Sequence, residues 1–431
     1  MRDHASEREK LEITANYYDA VTGEKDKAAQ TGQELIEDYP RDPSGYTELA
    51  SVFASEGQHE KAVGFARQAV RVAPDNANLY LNLATNTLAL GRFDETRQVI
   101  HEAHARKLEH YSMHQILYVM AFLGADSPAM TEEQSWFADQ PEENFGLELA
   151  SDTEAYGGHL SQARELTKRA MDSAIRAESK ETGATWQAHA ALREAAYGNA
   201  AEARQSAAEA LKLAPTSQGV ESEAGLAFAM AGDTARAEPL AQDLGKRFPL
   251  DRLWLPAIQA QLALDRKNPP SALNALQVTS PVELAGISVG SIPSCLYHVY
   301  IRGEAYLAGG QGNAAAAEFQ KILDHSGIVW NCWTGALAQF GRGACQRLTV
   351  ENFAGSGCRR RPRPCARRIQ RFRHPLERRR PRHPHPEGSQ SGVREVAVSA
   401  LRAFRLPRHM RAGLLPSACS GHPIECACDQ S

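Results

Sequence analysis

Long apolar runs are missing from this chain. The longest, Ile116 to Leu123, falls far short of the roughly 18 residues a membrane span needs, which excludes a spanning helix. The opening residues, MRDHASEREK, are charged and no apolar core follows them. A secretory leader is therefore not expected, and the expected location is cytoplasmic. Cysteine is scarce over most of the length. Of eight, only Cys295 and Cys332 precede Phe340, so the body cannot be a disulfide-stapled scaffold. Lysine disappears after Lys321. Catalytic signatures are lacking too: Ser, His and Asp are scattered with no nucleophile elbow.

The chain has 431 residues and a net charge of −4, which hides a split. After Phe340 there are 19 of the 48 basic and 6 of the 52 acidic residues, a balance of +13. The 29 bases and 46 acids before it leave the body at −17. An acidic body is thus joined to a tail of different composition.

The body repeats itself. Gly23, Gly57 and Gly91 stand 34 residues apart, as do Gly124 and Gly158, and Gly198 and Gly232. Five residues after most of them sits a small residue: Ala28, Ala62, Thr96, Ala163, Ala203, Ala237. Prolines follow at a further fixed offset: Pro40, Pro74, Pro215 and Pro249. Within one unit Tyr46, Leu49, Ala50 and Phe53 share a helical face. Gly57 permits the left-handed backbone that ends a helix. Ala62, Ala66 and Ala69 make the second helix slim enough for close approach. Asp42-Pro43 is expected to supply the N-cap and first-turn proline. One such pair buries too little apolar surface alone, so neighbours must stack into a curved solenoid with a groove.

A 34-residue period with these offsets resembles the tetratricopeptide repeat over roughly residues 8 to 340. The resemblance implies an all-α superhelical solenoid of antiparallel helix pairs that binds polypeptides. About nine units are expected. Residues 1–142 would hold four and 143–340 five, with an irregular insertion near 278–295. The eighth spans about Trp254 to Leu276, the ninth Tyr297 to His325, and a tenth opens at Trp333. Trp136, Trp186, Trp254, Trp330 and Trp333 are expected to pack between units, and Glu132-Glu133 and Glu142-Glu143 to be solvated.

The wording of some repeats is more particular. YYDAVTGEKDKA, SDTEAYGGHLSQARELTKRAMDSA, AEPLAQDLGKRFPLD and HVYIRGEAYLA resemble the array that follows the kinase domain in certain bacterial serine/threonine protein kinases. That implies a signalling setting and transfers no catalytic residue. The chain has no Gly-rich loop before a VAIK-like lysine, no HRD and no DFG. The expectation is a non-enzymatic scaffold, with the non-catalytic half of a split or frameshifted kinase as the alternative.

From about Gly341 to Ser431 the pattern gives way to RRRPRPCARRIQRFRHPLERRRPRHPHPEGSQ. A basic arm for nucleic acid would interleave lysine or aromatics, which are missing, so no nucleic-acid partner is expected. Cys358 and Cys365 are too far apart for a zinc knuckle, and Cys426 and Cys428 too close. A one-base frameshift explains more. Read from the second base of each codon, Glu387-Gly388 and Glu395-Val396 can give only Lys or Arg, and His383-Pro384 only Ile or Thr. The shifted frame over 369–396 allows a helical ending rich in strong helix formers. We hypothesise a frameshift near residues 340–350 and a disordered tail; an intact reading frame in independent isolates would remove the idea.

Three clusters invite chemistry. His101, His104, His110 and His114 lie close in sequence, but no Cys or paired carboxylate joins them in an accepted pattern, so packing or surface roles and no metal are expected. GGQGNAAA near Gly309 lacks GK[ST] and is expected to be a turn. In the tetratricopeptide motif the first helix of each unit lines the groove. By register this offers Ser44, Thr47, Ser51 and Ser55 in one unit, and Asn78, Asn82, Thr85 and Asn86 in the next. Such hydroxyls and amides bond an extended peptide backbone. Lys and Arg are absent there, which excludes a carboxylate clamp, and the acidic body favours a basic or neutral partner. No catalytic residue, cofactor or metal is expected.

Overall fold

A computed structural model describes residues 5–285 and 294–342. Among them every regular element is helical. The helices come in nine antiparallel pairs. In the first half these are α1 (Glu7–Asn16, running on as a π-turn over Tyr17–Thr22) with α2 (Lys25–Asp38), α3 (Ser44–Ser55) with α4 (His59–Val72), α5 (Ala77–Ala89) with α6 (Phe93–Ala105), and α7 (Tyr111–Leu123) with α8 (Ser127–Phe137). The second half continues with α9 (Glu143–Tyr156) and α10 (Leu160–Arg176), α11 (Lys180–Ala196) and α12 (Ala200–Leu213), and α13 (Gln218–Met230) and α14 (Thr234–Arg247). It ends with α15 (Trp254–Asp265) and α16 (Pro269–Ala275), then α17 (Tyr297–Ala308) and α18 (Gly312–Asp324). A short α19 (Ser326–Val329) and a helix over 333–342, here α20, follow. The fold is an all-α solenoid of tetratricopeptide-type helix pairs.

The repeat offsets become geometry. The turn inside each pair needs one left-handed residue, and Gly23, Gly57, Gly91, Gly158, Gly198, Gly232 and Gly310 supply it at φ between 68° and 85°. The fourth pair differs from the glycine register: Gly124 stays right-handed at φ −81°, and Ala125, 34 residues after Gly91, carries φ 55°. The small residues five places on are fully enclosed; Ala28, Ala62, Thr96, Ala203 and Ala237 are all 0% exposed. The first helices of the later pairs are enclosed on all sides, as α11 is from Trp186 to Ala196. At α3 the helix starts one residue later than expected. Pro43 is its N-cap, and Asp42 accepts the Ser44 N–H at 2.8 Å. In the GGQGNAAA segment Gly309 and Gly310 turn, Gly310 at φ 74°, and Gly312 opens α18.

The superhelix is tight enough to meet itself. The loop after the seventh pair brings Leu250 against Gly23 in the first; the loop after the eighth lays the Leu284 backbone on Gly57 in the second. After the ninth, Gly327 in α19 sits on the Leu88 carbonyl of α5 in the third. Each loop thus meets the turn six pairs back. A β-carbon at Gly57 would stand 3.0 Å from the Leu284 carbonyl carbon, and one at Gly327 only 1.8 Å from the Leu88 oxygen. The seam therefore depends on glycine at both places. Asn331 strengthens it by donating to the Leu149 carbonyl at 2.8 Å.

Four tryptophans join neighbouring units as expected: Trp186 stacks edge-on to Phe145, Trp254 and Trp333 both meet Tyr297, and Trp330 joins the core of α5 and α7; Trp136 instead lies on His114 within its own pair. Two of the four glutamates expected to be solvated are paired instead. Glu133 meets His114 at 2.8 Å, and Glu143 takes Ser173 and Arg176 at 2.8 and 3.2 Å. Cys295 and Cys332 form a disulfide that ties the start of α17 to the approach to α20. No helix among the described residues is long and apolar enough to cross a membrane. The expected frameshifted tail lies outside the described residues from 343 onward, as does the middle of the insertion, 286–293.

Candidate functional site on the inner face

By the repeat register the first helix of each pair is the one expected to line the groove, and the residues so placed lie on α3 and α5. Ser51 and Asn78 are exposed; Ser44, Thr47, Ser55 and Asn82 are half-buried; Thr85 and Asn86 are buried. Several side chains are already engaged. Thr47 and Ser55 donate back to the carbonyls of Pro43 and Val52 at 2.9 and 2.8 Å, and Ser44 donates to Glu12 at 3.2 Å. Asn86 Nδ2 donates to Asn82 Oδ1 at 2.8 Å, while its Oδ1 meets His59 Nδ1 at 3.0 Å. His59 Nε2 lies 2.9 Å from the Leu284 carbonyl. An Asn82–Asn86–His59 relay thus grips peptide backbone, here a loop of the same chain.

Glu48, on α3 beside these residues, escaped the sequence reasoning. It is buried, its Oε1 has no hydrogen-bond partner, and burial together with the Asp19 charge pushes it up to about 7. A glutamate four residues from a serine on a helix otherwise marks a solvated face, so spacing alone does not reveal it.

Further along, the first helices change character. α9 supplies Glu148 and Asp152, α11 supplies His189 and Arg193, and α13 supplies Glu223; all are buried except Asp152, which is partly exposed. His189 Nε2 lies 3.1 Å from Glu223 Oε1, and its Nδ1 lies 3.5 Å from Glu148 Oε1. Arg193 donates to Asp152 at 2.7 Å and to Thr167 at 2.7 Å, and faces Glu148 at 4.0 Å. Burial opposes charge on His189, yet Glu223 and Glu148 outweigh it and raise the imidazole to about 10. Burial and the Glu148 charge push Asp152 up to about 6 against the pull of Arg193. Three carboxylates face two cations, and Glu223 Oε2 has no hydrogen-bond partner. The signal was available: charges four apart on two first helices, with His189 and Glu223 in the 34-residue register. Spacing of this kind ordinarily means an exposed ion-pair face.

The histidines divide. His101 is exposed, and His110 caps α7 by accepting the Ser112 N–H at 3.1 Å. His104 and His114 come together with Glu109 from the loop between α6 and α7.

No protein-family model matches this chain, and no curated protein matches it either. Solved structures similar to it include yeast Tom70, 14% identical across 81% of this chain and 97% of that one, with a TM-score of 0.27. A tetratricopeptide repeat protein from Parabacteroides merdae ATCC 43184 is 14% identical over 80% of this chain and 98% of that chain, at a TM-score of 0.27. The Cut9–Hcn1 hetero-tetramer of the APC/C is 10% identical over 74% and 66%, at a TM-score of 0.34.

Proposed function

We propose that this chain is a protein-interaction scaffold that seats an extended polypeptide on the inner face of α3 and α5. What supports this is the row of hydroxyls and amides on α3 and α5, since such groups bond an extended peptide backbone; the Asn82–Asn86–His59 contacts beside it are taken by the Leu284 loop of the same chain. Ser51 and Asn78 add exposed polar groups on the same two helices. The acidic body supports a basic or neutral partner by steering. Selection of peptides from a random display library on the full chain, followed by anisotropy titration, tests the idea. Ser51→Arg and Asn78→Arg should weaken the selected peptides at least about tenfold, roughly the loss of one good hydrogen bond. Selected peptides that bind parent and variants alike would overturn it.

The resemblance of the repeats to kinase-linked arrays supports a signalling setting, and the same resemblance supports the alternative of a kinase's non-catalytic half. An unrelated gene upstream of this reading frame would remove that alternative. A cytoplasmic location sits uneasily with the Cys295–Cys332 disulfide, since such bridges persist in oxidising surroundings and are rare in the cytosol.

A further inference from the structure

The junction between the third and fourth pairs gathers three lone-pair donors. His104 stands in the last turn of α6, Glu109 in the loop that follows, and His114 in the first turn of α7. Glu109 Oε2 lies 3.1 Å from His114 Nε2 and 3.6 Å from His104 Nε2, and all three ligand atoms lie within 4.8 Å of one another. Bonds of about 2.0 Å at tetrahedral angles place ligand atoms about 3.3 Å apart, so both measured edges fit a tetrahedral ion.

Hydrogen bonding leaves this cluster incomplete. His114 Nδ1 meets Glu133 Oε2 at 2.8 Å, an arrangement in which the Nδ1 proton points at Glu133 and the Nε2 lone pair is turned toward Glu109. A lone pair and a carboxylate oxygen 3.1 Å apart need a proton or a metal ion between them. A second proton on His114 would serve that edge, but His104 Nε2 would remain buried with no hydrogen-bond partner, as it is here. One metal ion serves all three atoms. Trp136 stacks on the His114 ring at 3.7 Å and fixes its plane. Glu109 is more than half exposed, which leaves the fourth position open to water.

We infer that His104, Glu109 and His114 form a site for a divalent transition-metal ion of the zinc type, with Glu133 as the positioning carboxylate behind His114. Two imidazoles and one carboxylate are borderline ligands that suit Zn²⁺ better than Mg²⁺ or Ca²⁺. The ion closes the loop in which Lys107 takes φ 62° and clips α6 to α7. It does so at the fourth pair, whose turn uses Ala125 in place of a left-handed glycine and whose second helix buries only Phe137.

The test is calorimetric titration of Zn²⁺ alone into the chelator-treated full chain and its variants. Six cysteines after Phe340 also offer ligands, so the readout is a difference in equivalents. His104→Ala and Glu109→Gln should each take up one equivalent less than the parent. Glu133→Gln should keep the stoichiometry and weaken that step by about 10–100-fold. Zn²⁺ should raise the melting temperature of the parent and not that of Glu109→Gln. Glu109 is exposed, so this variant keeps its helices, which circular dichroism checks. Equal zinc uptake by parent, His104→Ala and Glu109→Gln would overturn the site and leave an imidazolium between two carboxylates.

Discussion

The second and third pairs and the fifth to seventh pairs share one scaffold and differ in what their inner faces carry. On α3 and α5 the row is hydroxyls and amides, part of it open to solvent. On α9, α11 and α13 the corresponding positions hold Glu148, His189, Arg193 and Glu223, closed away, with Asp152 partly exposed beside them. The repeat pattern governs the glycine turn and the small residue five places on, which decide how helices stack. It leaves the inward positions free. A neutral polar row can exchange water for a ligand at little cost, whereas buried charges pair internally and hold one arrangement. The difference suggests that the first region receives a partner and the second sets the pitch that brings the seam together.

The largest way to break the comparison is to remove a charge from the enclosed set. Arg193→Met leaves Asp152 and Glu148 without their guanidinium. Stranding a buried charge costs about 3–5 kcal/mol, which urea unfolding followed by circular dichroism should register as a clearly lower midpoint. A shift as small as that of a surface substitution would mean that the network is wet and the two inner faces are alike.

The next effect is a pH dependence above pH 7 that the enclosed region should show; on α3, Glu48, raised from 4.5 to about 7, acts below that range. His189 sits among Glu148 and Asp152 of α9, Arg193 of its own helix, Glu223 of α13 and Tyr297 of α17. Its pKa is raised from 6.5 to about 10, so between those values the folded chain holds a proton that the unfolded chain releases. The stabilisation is complete below about pH 6.5 and is lost as pH rises through about 10. Asp152, raised from 3.8 to about 6, acts in the same direction at lower pH. Melting temperature should therefore fall from pH 7 toward pH 10, and the slope should flatten in His189→Gln. An unchanged slope in that variant would assign the effect elsewhere.

Much of this architecture is legible in the residues. Gly57, Ala62 and Pro74 state a turn, a slim helix and a stop, because each acts through backbone freedom or volume within one pair. Ala125 hid its role, since nothing in an alanine announces a left-handed turn. The seam was illegible for a different reason. Leu284 on Gly57 and Gly327 on Leu88 depend on superhelical pitch, a sum of small rotations over six pairs that no local spacing records. The charged set on α9, α11 and α13 was hidden as well. Charges four apart look solvated until the first helices of adjacent pairs come together on them. Glu109 was hidden because it lies in a loop between the two histidines it joins.

The smallest effect sharpens the comparison most. Ser51 and Asn78 are exposed, and no core contact depends on their side chains. Ser51→Ala and Asn78→Ala should each change stability by no more than about 0.5 kcal/mol, the usual range for a surface substitution. Affinity for a peptide selected on the parent should nevertheless fall in both variants. If the inner face of α3 and α5 were only a packing surface, the two measurements would move together. A loss of binding with stability intact separates a receiving face from a structural one, and the enclosed charges cannot give that result, since Arg193→Met alters the fold itself.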